Sequence, residues 1–142
     1  MKEYKFRGYS KTLSQWLYGA LVHLDDGYYI VSESDMERDG HHIRQTSDFP
    51  LWVEWETVGM CVGLRDKNGK EIYGGDIVKT QFHEKAFGEV RWHPNGYFCI
   101  DESFGKKDLQ NVDCLSIGDF MNAIVDGQRV EIEIVGNKFE SK

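Results

Sequence analysis

Residues 57–78 read TVGMCVGLRDKNGKEIYGGDIV and contain the clearest local signals in the chain. The apolar first third favours a β-strand, in which Gly59 and Gly63 indicate a bulge or a close approach of another backbone. Asn68-Gly69 adopts positive φ at little steric cost and predicts a tight reversal. Gly74-Gly75-Asp76 predicts a second bend. The segment is therefore expected to form short strands joined by tight turns.

Alternating apolar and polar side chains, which are typical of half-buried strands, continue on both sides of this segment. Residues 15–31 predict a hairpin that turns at Asp25-Asp26-Gly27, and residues 88–101 predict another that turns at Pro94-Asn95-Gly96. Residues 129–135 predict a final strand whose glutamates face outward. Its expected buried residues are Val130, Ile132 and Ile134.

Two segments lack a usable period. Residues 32–48 are polar and charged, so we expect a long exposed loop there, of a length that is uncommon unless the loop is functional or mobile. Residues 104–122 keep no single period, although residues 119–124 can form a short helical turn. At most one short helix is therefore expected.

The length of 142 residues fits one ordinary domain or two small subdomains. Fifteen glycines and many aromatic residues indicate short strands joined by turns. We predict a mainly β fold with two small, packed sheet-like or barrel-like halves, residues 1–62 and 63–142. The second half is expected to resemble an SH3-like barrel.

Composition limits the partners and the compartment. The formal net charge of −7 disfavours broad electrostatic capture of a phosphate backbone. The three cysteines, Cys61, Cys99 and Cys114, cannot all pair and show no CxxC spacing, which favours a reducing compartment. No apolar leader is readable and no window approaches the about 18 apolar residues of a membrane span. We therefore predict a cytoplasmic protein that does not cross a membrane.

The sequence shows no metal-ligand motif, since the adjacent His41-His42 would point to opposite faces of an extended chain. We expect neither a metal nor a cofactor. Cys61 is expected to act as a small apolar residue, while Cys99 alternates out of phase with its apolar neighbours and is expected to be more exposed. Glu54 and Glu56 share a strand face, which is more simply explained as a solvated surface than as an acid–base pair. A cryptic hydrolase that uses a cysteine or a carboxylate pair stays open as an alternative.

Four residues are the candidates for binding. Arg91, His93 and Tyr97 combine a basic and aromatic surface of the kind that stacks single-stranded nucleic acid, with Arg91 and His93 on one strand face and Val90 and Trp92 on the other. Trp52 is the fourth, because Val53 and Trp55 share the inner face of its strand and leave Trp52 exposed. A nucleic-acid-binding module is therefore a second alternative, against the net charge.

Residues 57–78 also resemble the signature of the YopX-like family of phage and prophage proteins. That signature consists of a TVGxxTGL-like strand, a DKNGKEIY turn and a GDIV strand. The family tends to open with a KFR-aromatic segment such as residues 5–9, and to close with an aliphatic run before Gly-Asn such as residues 134–137. This chain departs from the pattern at Met60, Val62 and Gly74, where Gln, Thr and Glu are common.

The resemblance implies a small, β-rich bacterial phage or prophage protein and transfers no catalytic residues. The motif itself is interpreted as structural, with glycines at bends and Asp76 placed to accept backbone N–H groups as the strand restarts. The residues with structural roles are Thr57, Gly59, Gly63, Asp66, Asn68, Gly69, Tyr73, Gly75 and Asp76.

The function expected from all of this is a non-enzymatic accessory protein that binds a macromolecule, with a protein favoured over a nucleic acid as the partner. Homo-oligomerisation is a further hypothesis, because an edge strand such as residues 129–135 can pair with a copy of itself.

Overall fold

The structure is a computed structural model that describes residues 5–32, 52–109 and 114–139, and the backbone of residues 36–39 and 42–45. The chain divides into two units, Met1–Cys61 and Val62–Lys142. We expected the boundary after residue 62. Strands account for most of the described secondary structure, which confirms the mainly β fold.

The first unit is built from antiparallel strands that follow one another in the sequence. The strands are β1 (Phe6–Ser10), β2 (Gln15–Leu24), β3 (Gly27–Val31), β4 (Met36–Asp39), β5 (His42–Gln45), β6 (Trp52–Val53) and the start of β7 (Gly59–Arg65). A 3-10 turn (Trp55–Thr57) lies between β6 and β7. The predicted hairpin of residues 15–31 is confirmed, because β2 pairs with β3 from Leu24↔Gly27 to Ala20↔Val31. On its other edge β2 pairs with β1 over all five residues of β1.

Residues 52–61 close the sheet of the first unit. The segment pairs with β3 at Trp52 and Val53, and it pairs with β1 where Gly59 lies opposite Arg7. Between these points the N–H of Glu54 donates to the carbonyl of Tyr9 at 2.9 Å, and the N–H of Tyr9 donates to Thr57 Oγ1 at 2.8 Å. Thr57 Oγ1 donates in turn to the Glu54 carbonyl. The first unit is therefore barrel-like, and Thr57 links Tyr9 and Glu54 where the sheet closes.

The expectation of a long loop at residues 32–48 is wrong where β4 and β5 lie. These strands pair antiparallel from Met36↔Gln45 to Asp39↔His42. In the sequence, Gly40 lies between the two strands and is a residue type common in hairpin turns. The two strands pair with each other through their backbones, which leaves no apolar alternation in the sequence for the pattern to detect. Such a two-stranded ribbon is only marginally stable by itself. The rest of the predicted loop lies outside the described residues.

The second unit contains the end of β7 and the remaining elements. They are β8 (Glu71–Tyr73), β9 (Asp76–Thr80), β10 (Gly88–His93), β11 (Tyr97–Asp101), α1 (Ile117–Met121), β12 (Ile124–Val125), β13 (Gln128–Arg129) and β14 (Ile132–Asn137). Four of these strands form an antiparallel sheet in the order β11-β10-β9-β14. The predicted hairpin of residues 88–101 is confirmed. The expected short helix forms as α1, which begins two residues before the predicted helical turn of residues 119–124, and Ile124 begins strand β12 instead.

One face of this sheet carries the core of the second unit. The core consists of six buried apolar side chains from β8, β9, β10, β11, α1 and β14, which are Ile72, Val78, Val90, Ile100, Ile117 and Ile132. Phe87 and Phe120 pack against this cluster, with ring centroids 5.7 Å apart. The closer likeness of this unit to an SH3-like barrel stays a prediction.

The signature turn forms as predicted. Gly69 has φ of +82°, and the carboxylate of Asp66 accepts the N–H groups of Asn68 and Lys70, both at 2.9 Å. Asp76 Oδ2 accepts the N–H of Tyr73 at 2.8 Å across the second bend, where Gly75 has φ of +97°. Asp76 was predicted to accept backbone N–H groups, and the structure shows it accepting that of Tyr73.

The final strand begins later than predicted, because residues 128–129 pair with β12 instead of β9. The side chain of Gln81 occupies the place of the missing strand partner. Its Nε2 donates to the Arg129 carbonyl at 2.7 Å, and its Oε1 accepts the N–H of Glu131 at 2.8 Å. Val130 and Ile132 are buried as predicted, whereas Ile134 is half-buried.

Candidate functional site

Three aromatic rings form a stacked group on the first unit, which we call the aromatic row: His23, Tyr28 and Trp55. His23 and Tyr28 lie directly opposite each other in the β2–β3 hairpin, with ring centroids 4.2 Å apart and planes within 3°. The ring of Tyr28 also lies against Trp55, with centroids 5.9 Å apart and an interplanar angle of 27°. Cross-strand pairing and ring stacking therefore hold all three side chains in one arrangement.

The turn beside the aromatic row is held by close packing. Gly27 has φ of +148°, and a Cβ at this position would lie 2.5 Å from Nε1 of Trp52, so only glycine fits here. On the same turn the hydroxyl of Tyr29 donates to Asp26 Oδ2 at 2.8 Å. This hydrogen bond is the main cause that raises the pKa of the Tyr29 phenol, followed by burial and the charge of Asp26. Close packing and this hydrogen bond therefore hold the turn under the aromatic row in one conformation.

The aromatic row is exposed and has acidic neighbours. Trp55 is 61% exposed, and Leu24 beside His23 is 53% exposed. Carboxylates flank both ends of the row in sequence, since Asp25 and Asp26 follow Leu24, and Glu54 and Glu56 enclose Trp55. Three of these four are exposed, and Glu54 is half-buried with an ion pair of 4.0 Å to Lys11.

The expectation that Trp52 is the exposed tryptophan is wrong. The strand ends at Val53, and the chain enters the 3-10 turn at Trp55, which breaks the alternation on which the expectation rested. As a result Trp55 is the residue that faces solvent. Trp52 is half-buried for a different reason, since its ring lies against Gly27.

The other three predicted binding residues lie in the second unit, on β10 and β11. His93 and Tyr97 are a cross-strand pair, with ring centroids 4.5 Å apart and planes within 9°. His93 is 1% exposed, and its Nδ1 accepts the N–H of Asn95 at 3.1 Å. The Tyr97 hydroxyl donates to the carbonyl of Cys114 at 2.8 Å. The structure thus brings these rings together but buries His93 inside the hairpin, and on the opposite strand face Trp92 is 56% exposed.

Arg91 is surrounded by carboxylates of its own unit. Its Nη1 lies 2.9 Å from Asp101 Oδ2, and its Nε lies 3.8 Å from Glu89 Oε2. The side chain of Glu89 is 5% exposed and is also 3.5 Å from Lys138 Nζ. Because both carboxylates are buried, the guanidinium is needed to balance charge inside the fold.

Asp101 organises the loop that follows β11. Its carboxylate accepts the N–H and the hydroxyl of Ser103 and the N–H of Gly105, at 2.9, 2.6 and 2.7 Å. Burial acts to raise the pKa of Asp101, but the hydrogen bonds from Ser103, Arg91 and Gly105 outweigh it, so the pKa lies below its usual value. Asp101 is therefore held as a carboxylate.

Cys99 is buried, which corrects the expectation that it is more exposed. It is 0% exposed, because its side of β11 is covered by the chain that runs through Cys114 and Ser116. Burial, and then the neighbouring thiol of Cys114, raise the pKa of the Cys99 thiol to about 12. A thiol with this pKa is not a nucleophile at neutral pH.

A cavity of about 330 Å³ lies next to this region in the second unit. Asp101, Lys107 and Cys114 are among the residues that line it. The hydrolase alternative requires such a convergence of ionisable side chains around one cavity. The carboxylate of Asp101 is already shared among Arg91, Ser103 and Gly105, so it serves as an acceptor for the fold rather than as a base. The other lining residues are Phe87, Ile100, Glu102, Ser103, Leu109, Leu115 and Phe120.

Comparison with known proteins places the whole described fold in one family. The family model described as YopX protein matches residues 5–141. The chain belongs to the YopX protein family. Among solved structures, this YopX family member is similar to the crystal structure of protein EF1440 from Enterococcus faecalis, with a TM-score of 0.51 and 21% sequence identity over 96% of this chain and 94% of that chain. At this identity the likeness concerns the fold. A search among curated proteins found no match.

Sequence reasoning missed the aromatic row of this YopX family member, although a signal for it exists. The turn at Asp25-Asp26-Gly27 predicts that a residue near His23 faces Tyr28, and two rings in a directly opposite pair are expected to stack. The exact register is decided by the structure, in which Leu24 pairs with Gly27, since an Asp26-Gly27 loop would instead place Asp25 opposite Tyr28. The position of Trp55 depends instead on where β6 ends, which no local pattern indicates.

Two further observations concern the described residues alone. No cluster of three or more His, Cys, Asp or Glu side chains that could hold a metal ion occurs among them. The helices within the described ranges are all too short or too polar to cross a bilayer.

Proposed function

We propose that this YopX family member is a phage or prophage accessory protein that binds a protein partner through the aromatic row and catalyses no reaction. The observation that carries the proposal is the exposure of Trp55, which is 61% accessible although it is stacked on Tyr28 and held by a closed sheet. A location in the bacterial host's cytoplasm is part of the proposal, supported by the three free thiols.

Exposed, ordered aromatic side chains are typical of binding surfaces. Tryptophan and tyrosine are enriched among the residues that carry most of the energy of protein interfaces. Trp55 and Tyr28 are already held by stacking, so they lose little conformational entropy when a partner covers them. Leu24 extends the apolar surface at the end of the hairpin. These features favour a contact that buries the aromatic row.

Charge favours a protein over a nucleic acid as the partner. The carboxylates that flank the aromatic row repel phosphate groups, and the net charge of −7 has the same sign. In the second unit the guanidinium of Arg91 is engaged with Asp101 and Glu89, so it is poorly placed to neutralise a phosphate. No observation favours the nucleic-acid alternative or the hydrolase alternative over this proposal.

The test is quantitative affinity capture from host-cell lysate with the full chain as bait. Trp55→Ala removes the exposed ring, and Trp92→Ala is the matched control, because Trp92 is a similarly exposed tryptophan of the second unit. We expect a protein that survives nuclease treatment, is lost with Trp55→Ala and is retained with Trp92→Ala, and that binds again as a purified protein. Recovery that depends on nucleic acid, or that is equal with Trp55→Ala, would contradict the proposal.

A further inference from the structure

We propose that the segment of the partner that covers the aromatic row is cationic, with arginine or lysine side chains that stack on Trp55 and pair with the flanking carboxylates. This inference rests on the proposed function and names the chemistry of its partner. It commits to a basic protein segment as the occupant.

Charge complementarity is the first argument. Asp25 and Asp26 sit at the turn beside His23 and Tyr28, and Glu56 lies next to Trp55. All three carboxylates belong to exposed residues. Among the residues whose side chains the structure describes, Lys11 forms an ion pair with Glu54, with its Nζ 4.0 Å from the carboxylate. The Lys11 side chain is 72% exposed, so this pair neutralises little. Exposed carboxylates that neighbour the aromatic residues in the chain attract a cationic partner to this surface and disfavour an anionic one.

The ring geometry is the second argument. Tyr28 lies against the Trp55 indole at a centroid distance of 5.9 Å, and Trp55 as a whole residue is still 61% exposed. Among aromatic side chains, tryptophan attracts a guanidinium or ammonium group most strongly when the cation lies over the ring face within about 6 Å of its centroid. Elsewhere the chain uses this contact itself, since Arg7 Cζ lies 5.0 Å from the centroid of Trp16 and Lys138 Nζ lies 4.9 Å from that of Phe139.

A neutral apolar segment fits the surface less well. Covering Trp55 and Leu24 with such a segment would take the nearby carboxylates out of water without a compensating charge, and the desolvation of an unpaired carboxylate is costly. A segment with alternating basic and small residues covers the rings and pairs the carboxylates together.

The experiment measures binding of two labelled peptides to the full-length protein by fluorescence anisotropy. One peptide carries three arginines in a Gly/Ser background, and its matched control carries citrulline at the same positions, which preserves shape and removes charge. We expect the arginine peptide to bind at least about 5-fold more tightly than the citrulline peptide, with affinity that falls as salt increases. The variants Trp55→Ala and Asp25→Asn/Asp26→Asn should each weaken binding by at least about 5-fold, and Trp92→Ala should leave it unchanged.

The outcomes separate the inference from the proposed function. Equal binding of the two peptides, or equal binding to the Trp55→Ala and Trp92→Ala proteins, overturns the cationic segment. If capture still yields a Trp55-dependent partner in that case, the proposed function stands and its partner contacts the row by apolar chemistry. If the arginine peptide binds as expected but no protein partner depends on Trp55, the chemistry of the surface is right and the proposed function is wrong. Circular dichroism of each variant checks that it is folded.

Discussion

The carboxylate of Asp66 accepts the backbone N–H of Ile134 at 3.1 Å, although the two residues are 68 positions apart in the chain. The next residue of the signature continues the contact, since the N–H of Lys67 donates to the carbonyl of Ile132 at 2.8 Å. Together these bonds occupy the outer edge of β14, the strand that ends the four-stranded sheet. A second copy of the chain would have to displace them in order to pair with this edge.

Replacement of Asp66 is expected to destabilise the second unit. Asp66→Ala removes the acceptor of three backbone N–H groups, those of Asn68, Lys70 and Ile134. Because these groups would lose their partners at a site where Asp66 is only 7% exposed, the free energy of unfolding should fall by about 2–4 kcal/mol. Urea unfolding followed by circular dichroism measures the change. Lys70→Ala, an exposed residue of the same turn, is the control and should change stability by less than about 0.5 kcal/mol; equal effects of the two variants would contradict the assignment.

Gly8 is expected to tolerate no side chain while Val53 is present. A Cβ at residue 8 would lie 2.8 Å from Cγ2 of Val53, which is 1% exposed and has no room to move outward. Gly8→Ala should lower the free energy of unfolding by about 1–3 kcal/mol through overpacking. The double variant Gly8→Ala/Val53→Ala should lose at least about 1 kcal/mol less than the sum of the single variants, because each relieves the other.

The matched control for this pair is Gly118→Ala in helix α1. A Cβ there meets nothing within 4 Å, so the substitution should be neutral or slightly stabilising, as alanine favours a helix over glycine. Additive losses at residues 8 and 53 would show that the two side chains do not meet.

Asp101 is expected to make stability depend on pH in the acidic range. Its folded-state pKa lies below the value of about 3.9 for an unfolded aspartate, so its contribution is present above that value and is lost as pH falls through the folded pKa. Asp101→Asn should therefore cost about 2 kcal/mol at pH 7, and the gap to the wild type should shrink below about pH 4. Denaturant unfolding from pH 3 to 7 measures this gap. Glu102→Gln, the exposed neighbour, should show no such trend, and a gap for Asp101→Asn that is constant with pH would refute the prediction.

Cys99 is expected to resist alkylation in the folded protein. With a pKa of about 12, only about 1 in 10⁴ molecules carries the Cys99 thiolate at pH 8, and the sulfur is also shielded from solvent. Labelling with iodoacetamide followed by mass spectrometry should modify Cys61 and Cys114, which are half-buried, before Cys99. In denaturant all three should react at similar rates. Modification of Cys99 in the native protein at the rate of the other two would contradict its position in the structure.

Several elements of this fold follow from the amino-acid sequence alone, because their causes are local. Asn68-Gly69 and Asp25-Asp26-Gly27 specify their turns through backbone preferences that act within a few residues. The alternation in the hairpin of residues 88–101 likewise specifies which side chains share a face, and the burial of Val130 and Ile132 was predicted in the same way.

The tertiary structure alone decided what lies against each face and which polar groups meet. The sequence places His93 and Cys99 on one side of a hairpin, but only the chain that packs over them makes them 1% and 0% exposed. It also gives no sign that Thr57 binds Tyr9 across 48 residues or that Asp66 binds Ile134 across 68. The physical reason is that backbone preferences are properties of neighbouring residues, whereas burial and long-range hydrogen bonds depend on segments that come together only when the chain folds.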